Sequence, residues 1–400
     1  MHGCAEPMTC PPMMTAIDKL PVDPVYTPYQ LGKRSGCSVL AVGGELKSAI
    51  CLYSQREAKL SQSQGSLTDP QCYRQFVYTI EHLRQRFDFS PEVVAHDLHP
   101  LYLSSRYAVA TGLPTVAVQH HHAHLLSVMA DWDVSKPVVG ICADGVGYGS
   151  DGAAWGCEVM RCAGASFDRL GHMEYFPLAG ADAVAVETWR SAAALLWQAF
   201  GSDWTRHTVD AFGCVKPKDV DRLDRMIMGG LNTPMTSSLG RVFDGISFLL
   251  GLCERNDREA QAAIALEQAA SATAVEPYPY ETTAGNGAFR MSLAPAIRAI
   301  VKDRHDNQDV GRISARFHET VARMLATTAI MACERCGLHV VALSGGCFAN
   351  QRLLTRVTER LEQRHLNVLY PRRVPCGDAG LALGQAVAAS AIHREADACV

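Results

Sequence analysis

No apolar run in this 400-residue sequence approaches the roughly 18 residues that span a bilayer, and the N-terminus has no apolar core of a secretion signal. The expectation is a protein without export and without a membrane partner. An excess of basic charge is also missing: 37 Lys and Arg face 41 Asp and Glu, a formal net charge of −4, with a pI near 6.4. Charge therefore predicts no nucleic-acid partner. A disulfide framework is missing too. The 15 cysteines are odd in number and irregularly spaced along a long chain, so a reducing cytoplasm is the natural setting. Cys333 and Cys336 form a C-x-x-C with no second pair beside it. That suits buried cysteines at a helix end better than a zinc or redox site.

What is present is ordinary globular material, 48% hydrophobic and 20% charged, enough for a large core and two lobes. Residues 1–35 are rich in proline and methionine without periodicity, which predicts an extended N-terminal arm. A first α/β lobe follows over 36–135. It opens with an apolar strand, Ser38 to Val42, a Gly43-Gly44 hairpin turn and a returning strand, Lys47 to Ser54. A second lobe, 136–400, opens in the same way. Val138 to Ala143 is an apolar strand, Asp144 to Gly152 a long glycine-rich turn, and Ala153 to Met160 the return. Residues 165–310 are expected to be a mainly helical insertion, and the last helix, from Leu381, can return to the first lobe. Two hairpins, each opening an α/β half, match the duplicated two-lobed plan of the actin-like ATPase and sugar-kinase (ASKHA) fold.

The chemistry gathers at Val118-Gln119-His120-His121-His122-Ala123-His124. On a helix His120 and His124 project from one face, about 5–6 Å apart at Cβ, whereas His121 points about 100° away. Such a pair leaves a divalent ion open positions for carboxylates or substrate. Solvated turn histidines are the plainer alternative. Asp144 and Asp378 could add the oxygen ligands, although Asp378 also suits an N-cap. Leu343-Ser344-Gly345-Gly346 leading to Asn350 reads as strand, tight turn and helix start, a candidate phosphate cradle. The turn holding Gly145 and Gly147 is a second such candidate. Arg372 and Arg373 could hold an anion or nothing at all.

Together these stretches, with Ala41-Val42-Gly43-Gly44-Glu45-Leu46-Lys47, Asp97-Leu98-His99-Pro100, Ser237 to Asp244 and Arg372-Arg373-Val374-Pro375, resemble the carboxy-terminal half of HypF, the hydrogenase-maturation carbamoyltransferase family. The resemblance runs from about residue 36 to 390. It implies a threonylcarbamoyl-transferase-like domain in which His120, His124, Asp144 and Asp378 hold a divalent metal, iron first and zinc second, and serve catalysis. Asp244 would contact a nucleotide ribose, and Gly145, Gly147, Ser344, Gly345, Gly346 and Asn350 would line the phosphate side. The implied cofactors are ATP or its adenylate with Mg. The implied reaction carries a carbamoyl group from carbamoyl phosphate, by way of carbamoyl-adenylate, to the C-terminal cysteine of HypE, as precursor of the cyanide ligand of [NiFe] hydrogenase.

The sequence departs from the family pattern in two ways. No acylphosphatase-like, zinc-finger or YrdC-like adenylate-forming domain fits ahead of residue 36, so that step would come from another protein or carbamoyl phosphate would be used directly. Ala260 and Ala379 stand where the family has glycine, and each methyl crowds backbone that would approach a ligand. His121 and His122 stay open as bases for the thiol. Rival readings are an O-carbamoyltransferase of natural-product tailoring, tRNA threonylcarbamoyl transfer, which the acidic pI disfavours, and a nucleotide-binding scaffold without catalysis.

Overall fold

The computed structural model describes residues 24–32, 37–284 and 287–398. Its first sheet is built from β1 (Tyr26–Gln30), β2 (Val39–Ala41), β3 (Cys51–Ser54), β4 (Glu57–Ser61), β5 (Val93–Asp97) and β6 (Thr115–Val118). The second holds β7 (Val138–Tyr148), β8 (Ala154–Ala163), β9 (Ser166–Met173), β10 (Phe176–Pro177), β11 (Met235–Thr236), β12 (Glu281–Thr283), β13 (Phe289–Ser292), β14 (Val340–Ser344) and β15 (Asn367–Leu369).

The two sheets share one plan. The order β4-β3-β2-β5-β6 in the first corresponds to β9-β8-β7-β14-β15 in the second. In each, two antiparallel pairings are followed by two parallel ones. This is the duplicated α/β architecture of the actin-like ATPase and sugar-kinase plan. The helices between the sheets are not crossovers of parallel strands: one links β6 of the first sheet to β7 of the second, and the other follows β15. The helix His120–Asp131 lies on β7 and β14, the closing helix Leu381–Ala398 lies on β2 and β5, and the two helices pack on each other. Leu125, Leu126, Met129, Leu381, Leu383 and Ala386 join both sheets in one apolar cluster.

Several local expectations are corrected. Gly43-Gly44 is not a two-residue hairpin turn, because β2 and β3 are joined by residues 42–50. Both backbone polar groups of Gly43 are taken by the Gln385 amide, at 2.8 and 3.1 Å, so the chain runs on to the closing helix. The tight turn falls instead at Gln55-Arg56, between β3 and β4. Within the arm, residues 26–30 form an antiparallel edge strand on β4, while residues 1–23 lie outside the described residues. The stretch from 165 opens with β9 rather than a helix. Asp144 sits inside β7 rather than in a turn, at a register shift between Ala143 and Gly147. Among the described residues, no helix is long and apolar enough to cross a membrane.

Candidate metal centre

The histidine helix begins where β6 ends. Gln119 caps it, its side-chain oxygen accepting from the His122 backbone N–H at 2.9 Å, which satisfies one of the free donors of the first turn. His120 and His124 then face the same way, with ring centroids 4.8 Å apart. Asp144 reaches them because the bulge in β7 re-aims its side chain. Its Oδ1 accepts from the Gly346 N–H at 2.8 Å, leaving Oδ2 3.3 Å from His120 Nε2 and 3.5 Å from His124 Nε2. Asp378, ahead of the closing helix, places Oδ1 3.7 and 3.4 Å from the same nitrogens. One ligand atom from each of the four residues lies within 4.8 Å of all the others. Among the described residues this is the group of His, Cys, Asp and Glu side chains that could hold a metal.

Helix packing holds the arrangement. A Cβ on Gly384 would be driven into the Ala123 carbonyl, so only glycine lets the closing helix approach the histidine helix closely enough to bring Asp378 to the histidines.

The polar accounting fits a cation. His120 Nε2 and His124 Nε2 are buried without a hydrogen-bond partner, a state that costs free energy unless something binds there. Burial alone would favour neutral His120, yet Asp97, Asp144 and Asp378 hold its pKa well above 6.5. His124 is likewise raised against its burial, by Asp144 first. The carboxylates respond in kind: despite burial, Asp144 is held well below its usual range, and Asp378 is brought down to about 2 by the two imidazoles. A pocket that draws positive charge onto nitrogen and keeps its acids ionised selects for a cation, and Nε2 pairs with carboxylate oxygens suit a divalent metal.

Sequence reasoning gave no role to Asp97. This residue is fully buried. Its Oδ2 contacts His120 Nδ1 at 2.7 Å and its Oδ1 accepts from the His99 N–H at 2.8 Å. A carboxylate behind a ligand histidine fixes the tautomer and presents the Nε2 lone pair. The signal available was its position at the carboxyl end of β5, one strand from the histidines.

The glycine-rich side is different. Gly345 has φ +99° and its Cβ would strike the Ala143 carbonyl, so strand packing already requires glycine there. Gly346 lies beside Asp144, and the side of Gly145 where a Cβ would stand is open. A Cβ on Gly147 would fall 2.7 Å from the rings of His120 and His121. Ser344 Oγ is buried and unpartnered. Asn350 caps the helix Gln351–Glu362 through Leu353 N–H, and its amide nitrogen contacts His318 Nε2 at 3.0 Å. Asp244 is buried, paired with Arg241 at 2.7 Å and bonded to Asn256 at 3.1 Å. Gly346 and Gly147 thus border the cluster, Gly345 packs on Ala143 next to Asp144, and the Asn350 and Asp244 side chains are engaged within the protein.

His121 and His122 are both buried. Desolvation lowers His121 well below 6.5, and His122, packed near Phe167, to about 4. Arg372 lies over the Trp132 ring and Arg373 over Tyr29, while their backbone N–H groups donate to Asp131 Oδ2. Neither guanidinium is held ready for an anion.

Residues 140–385 match the family described as "Carbamoyltransferase, Kae1-like Domain, second subdomain", and residues 34–131 match "HypF Kae1-like domain". The chain belongs to the HypF carbamoyltransferase family. The HypF homolog of Cupriavidus necator is 40% identical over 359 residues, covering 87% of this chain and 90% of that protein. HypF of Synechocystis sp. is 35% identical over 376 residues, 90% of this chain and 48% of its own length. The chain thus spans about half the length of that relative. A crystal structure of full-length HypF in a phosphate- and nucleotide-bound form superposes with a TM-score of 0.87 at 35% identity, covering 91% of this chain and 57% of that one.

Proposed function

We propose that this chain is the transfer half of a HypF-type carbamoyltransferase in [NiFe]-hydrogenase maturation. The observation that carries the reading is the His120, His124, Asp144 and Asp378 set, the first three buried and Asp378 half-buried, with two imidazole Nε2 atoms lacking partners. The donor would be carbamoyl phosphate or the carbamoyl-adenylate made from it and ATP, and the acceptor the C-terminal cysteine of a HypE-type protein. The adenylate would be supplied in trans if this chain cannot use carbamoyl phosphate directly.

His120, His124, Asp144 and Asp378 would hold the divalent metal, whose chemistry is Lewis-acid polarisation of the carbamoyl carbonyl. Asp97 keeps the His120 Nε2 lone pair facing the site, and the Gly346 N–H fixes Asp144. The backbone at Gly345 and Gly346 lines the side where the phosphate leaves. The acceptor sulfur forms a bond to the carbamoyl carbon as the carbon–oxygen bond to phosphate breaks, and phosphate departs with the electron pair. The thiol proton passes to solvent, because His121 and His122 are both buried against the core and lie on other faces of the helix.

The test is phosphate release from carbamoyl phosphate by metal-replete protein, with and without ATP, beside His120→Ala. The reading expects release that the substitution abolishes. Equal release by both proteins would sink it.

A further inference from the structure

Lys47 sits in the loop between β2 and β3 with a left-handed backbone, φ +46°. Its ammonium pairs at 2.7 Å with Glu259, from the turn that precedes the helix Gln261–Ala269 on the side of the second sheet. The next residue, Ala260, is also left-handed, φ +57°. Both partners of this bridge therefore stand on or beside strained non-glycine backbone, which persists where something else demands the geometry.

The bridge lies beside the segment that leads into the metal centre. Lys47 Nζ lies 3.9 Å from where a Cβ on Gly377 would stand, directly before Asp378, and Gly346 Cα is equally close to that point. Gly346 in turn donates its N–H to Asp144. Both side chains of the pair are about half exposed, 48% and 61%, so the pair is worth little and opens at small cost. Glu259 can return to water almost without desolvation.

We propose that Lys47 is an anion-positioning residue whose resting partner, Glu259, gives way to the phosphate group of the substrate. The proposal rests on the carbamoyl-phosphate reading above. An anion approaching two carboxylates needs a cation on the rim as well as one at the centre, and Lys47 supplies it once Glu259 is released. The arrangement makes the two ends of one ion pair act in opposite directions. Glu259 competes with substrate for the ammonium, so its removal favours binding, whereas removal of Lys47 opposes it. A bridge that merely joins the two sheets would respond in the same direction to loss of either end.

The experiment is calorimetric titration of inorganic phosphate and of carbamoyl phosphate into the full, metal-loaded chain, for wild type, Lys47→Met, Lys47→Arg and Glu259→Gln, with metal content measured on each sample. Lys47→Met is expected to weaken both anions about tenfold with metal retained, and Lys47→Arg to restore much of the loss. Glu259→Gln is expected to tighten binding up to about fivefold, the factor that an exposed pair is worth at its strongest. Weaker or unchanged binding by Glu259→Gln, or unchanged binding by Lys47→Met, overturns the proposal while leaving the carbamoyltransferase reading intact. Wild type that holds metal but binds neither anion overturns the proposal together with direct use of carbamoyl phosphate.

Discussion

The histidine pair and two residues nominated for the nucleotide side, Asn350 and Asp244, satisfy their polar groups in different ways. On the histidine side, His120 and His124 are sealed in the protein with Nε2 atoms that lack a hydrogen-bond partner. On the glycine side, Asn350 and Asp244 were equally good candidates by residue type, yet each is engaged by neighbouring protein groups. The contrast teaches that residue type nominates a site, while buried groups without partners identify where a ligand is needed. It also assigns different consequences to mutations that look alike on paper.

The largest expected difference concerns Asp97→Asn. This residue touches no ligand position, but loss of its charge releases the His120 tautomer, and metal affinity should fall roughly ten- to hundredfold in a competitive chelator titration. An unchanged affinity would show that His120 needs no orienting partner.

The pH dependence sharpens the same side. His120 and His124 have pKa values raised above 6.5, so protons compete with the cation for both Nε2 atoms. Metal binding then releases protons, and affinity rises with pH through the range above 6.5 until both rings are neutral. The thermal stabilisation conferred by metal over chelator-treated protein should accordingly grow across that window. A gap that narrows as pH rises would reverse the sign and contradict the assignment. Taking the difference between loaded and metal-free protein removes the contribution of buried neutral histidines such as His318, lowered to about 4 by burial, whose own gain in stability with pH is complete by about pH 6.5.

Gly384→Ala tests the packing that brings the two sides together. A methyl driven into the Ala123 carbonyl forces the helices apart, at a cost of roughly 1–3 kcal/mol in denaturant unfolding, and metal affinity should drop with it. Asn350→Ala has the smallest expected effect. Loss of the cap should cost about 1 kcal/mol of stability, with phosphate affinity unchanged. A phosphate defect at full stability would break the comparison, because Asn350 would then belong to the ligand side.

Much of this organisation was legible locally. The histidine pair, the strand that delivers it and the Gly345-Gly346 turn each follow from a few consecutive residues, and the repeated hairpins announced the duplicated sheets. The expectation of a mainly helical stretch from 165 missed Ser166–Met173, which pairs with β8 and β13. What stayed hidden was long-range. The contact of Asp97 with His120 spans 23 residues, the Gln385 amide that holds Gly43 is 342 residues away, and the crossing at Gly384 depends on a backbone approach that no periodicity encodes. The pairing of Lys47 with Glu259 is likewise set by the fold, across more than two hundred residues of sequence.

The most direct test of the central claim is metal stoichiometry. Protein reconstituted with iron or zinc under reducing conditions, desalted and analysed by elemental mass spectrometry, should retain about one ion per chain, and His120→Ala and His124→Ala should each retain close to none while remaining folded. Wild-type protein that keeps no metal, or variants that keep as much as wild type, would contradict the account.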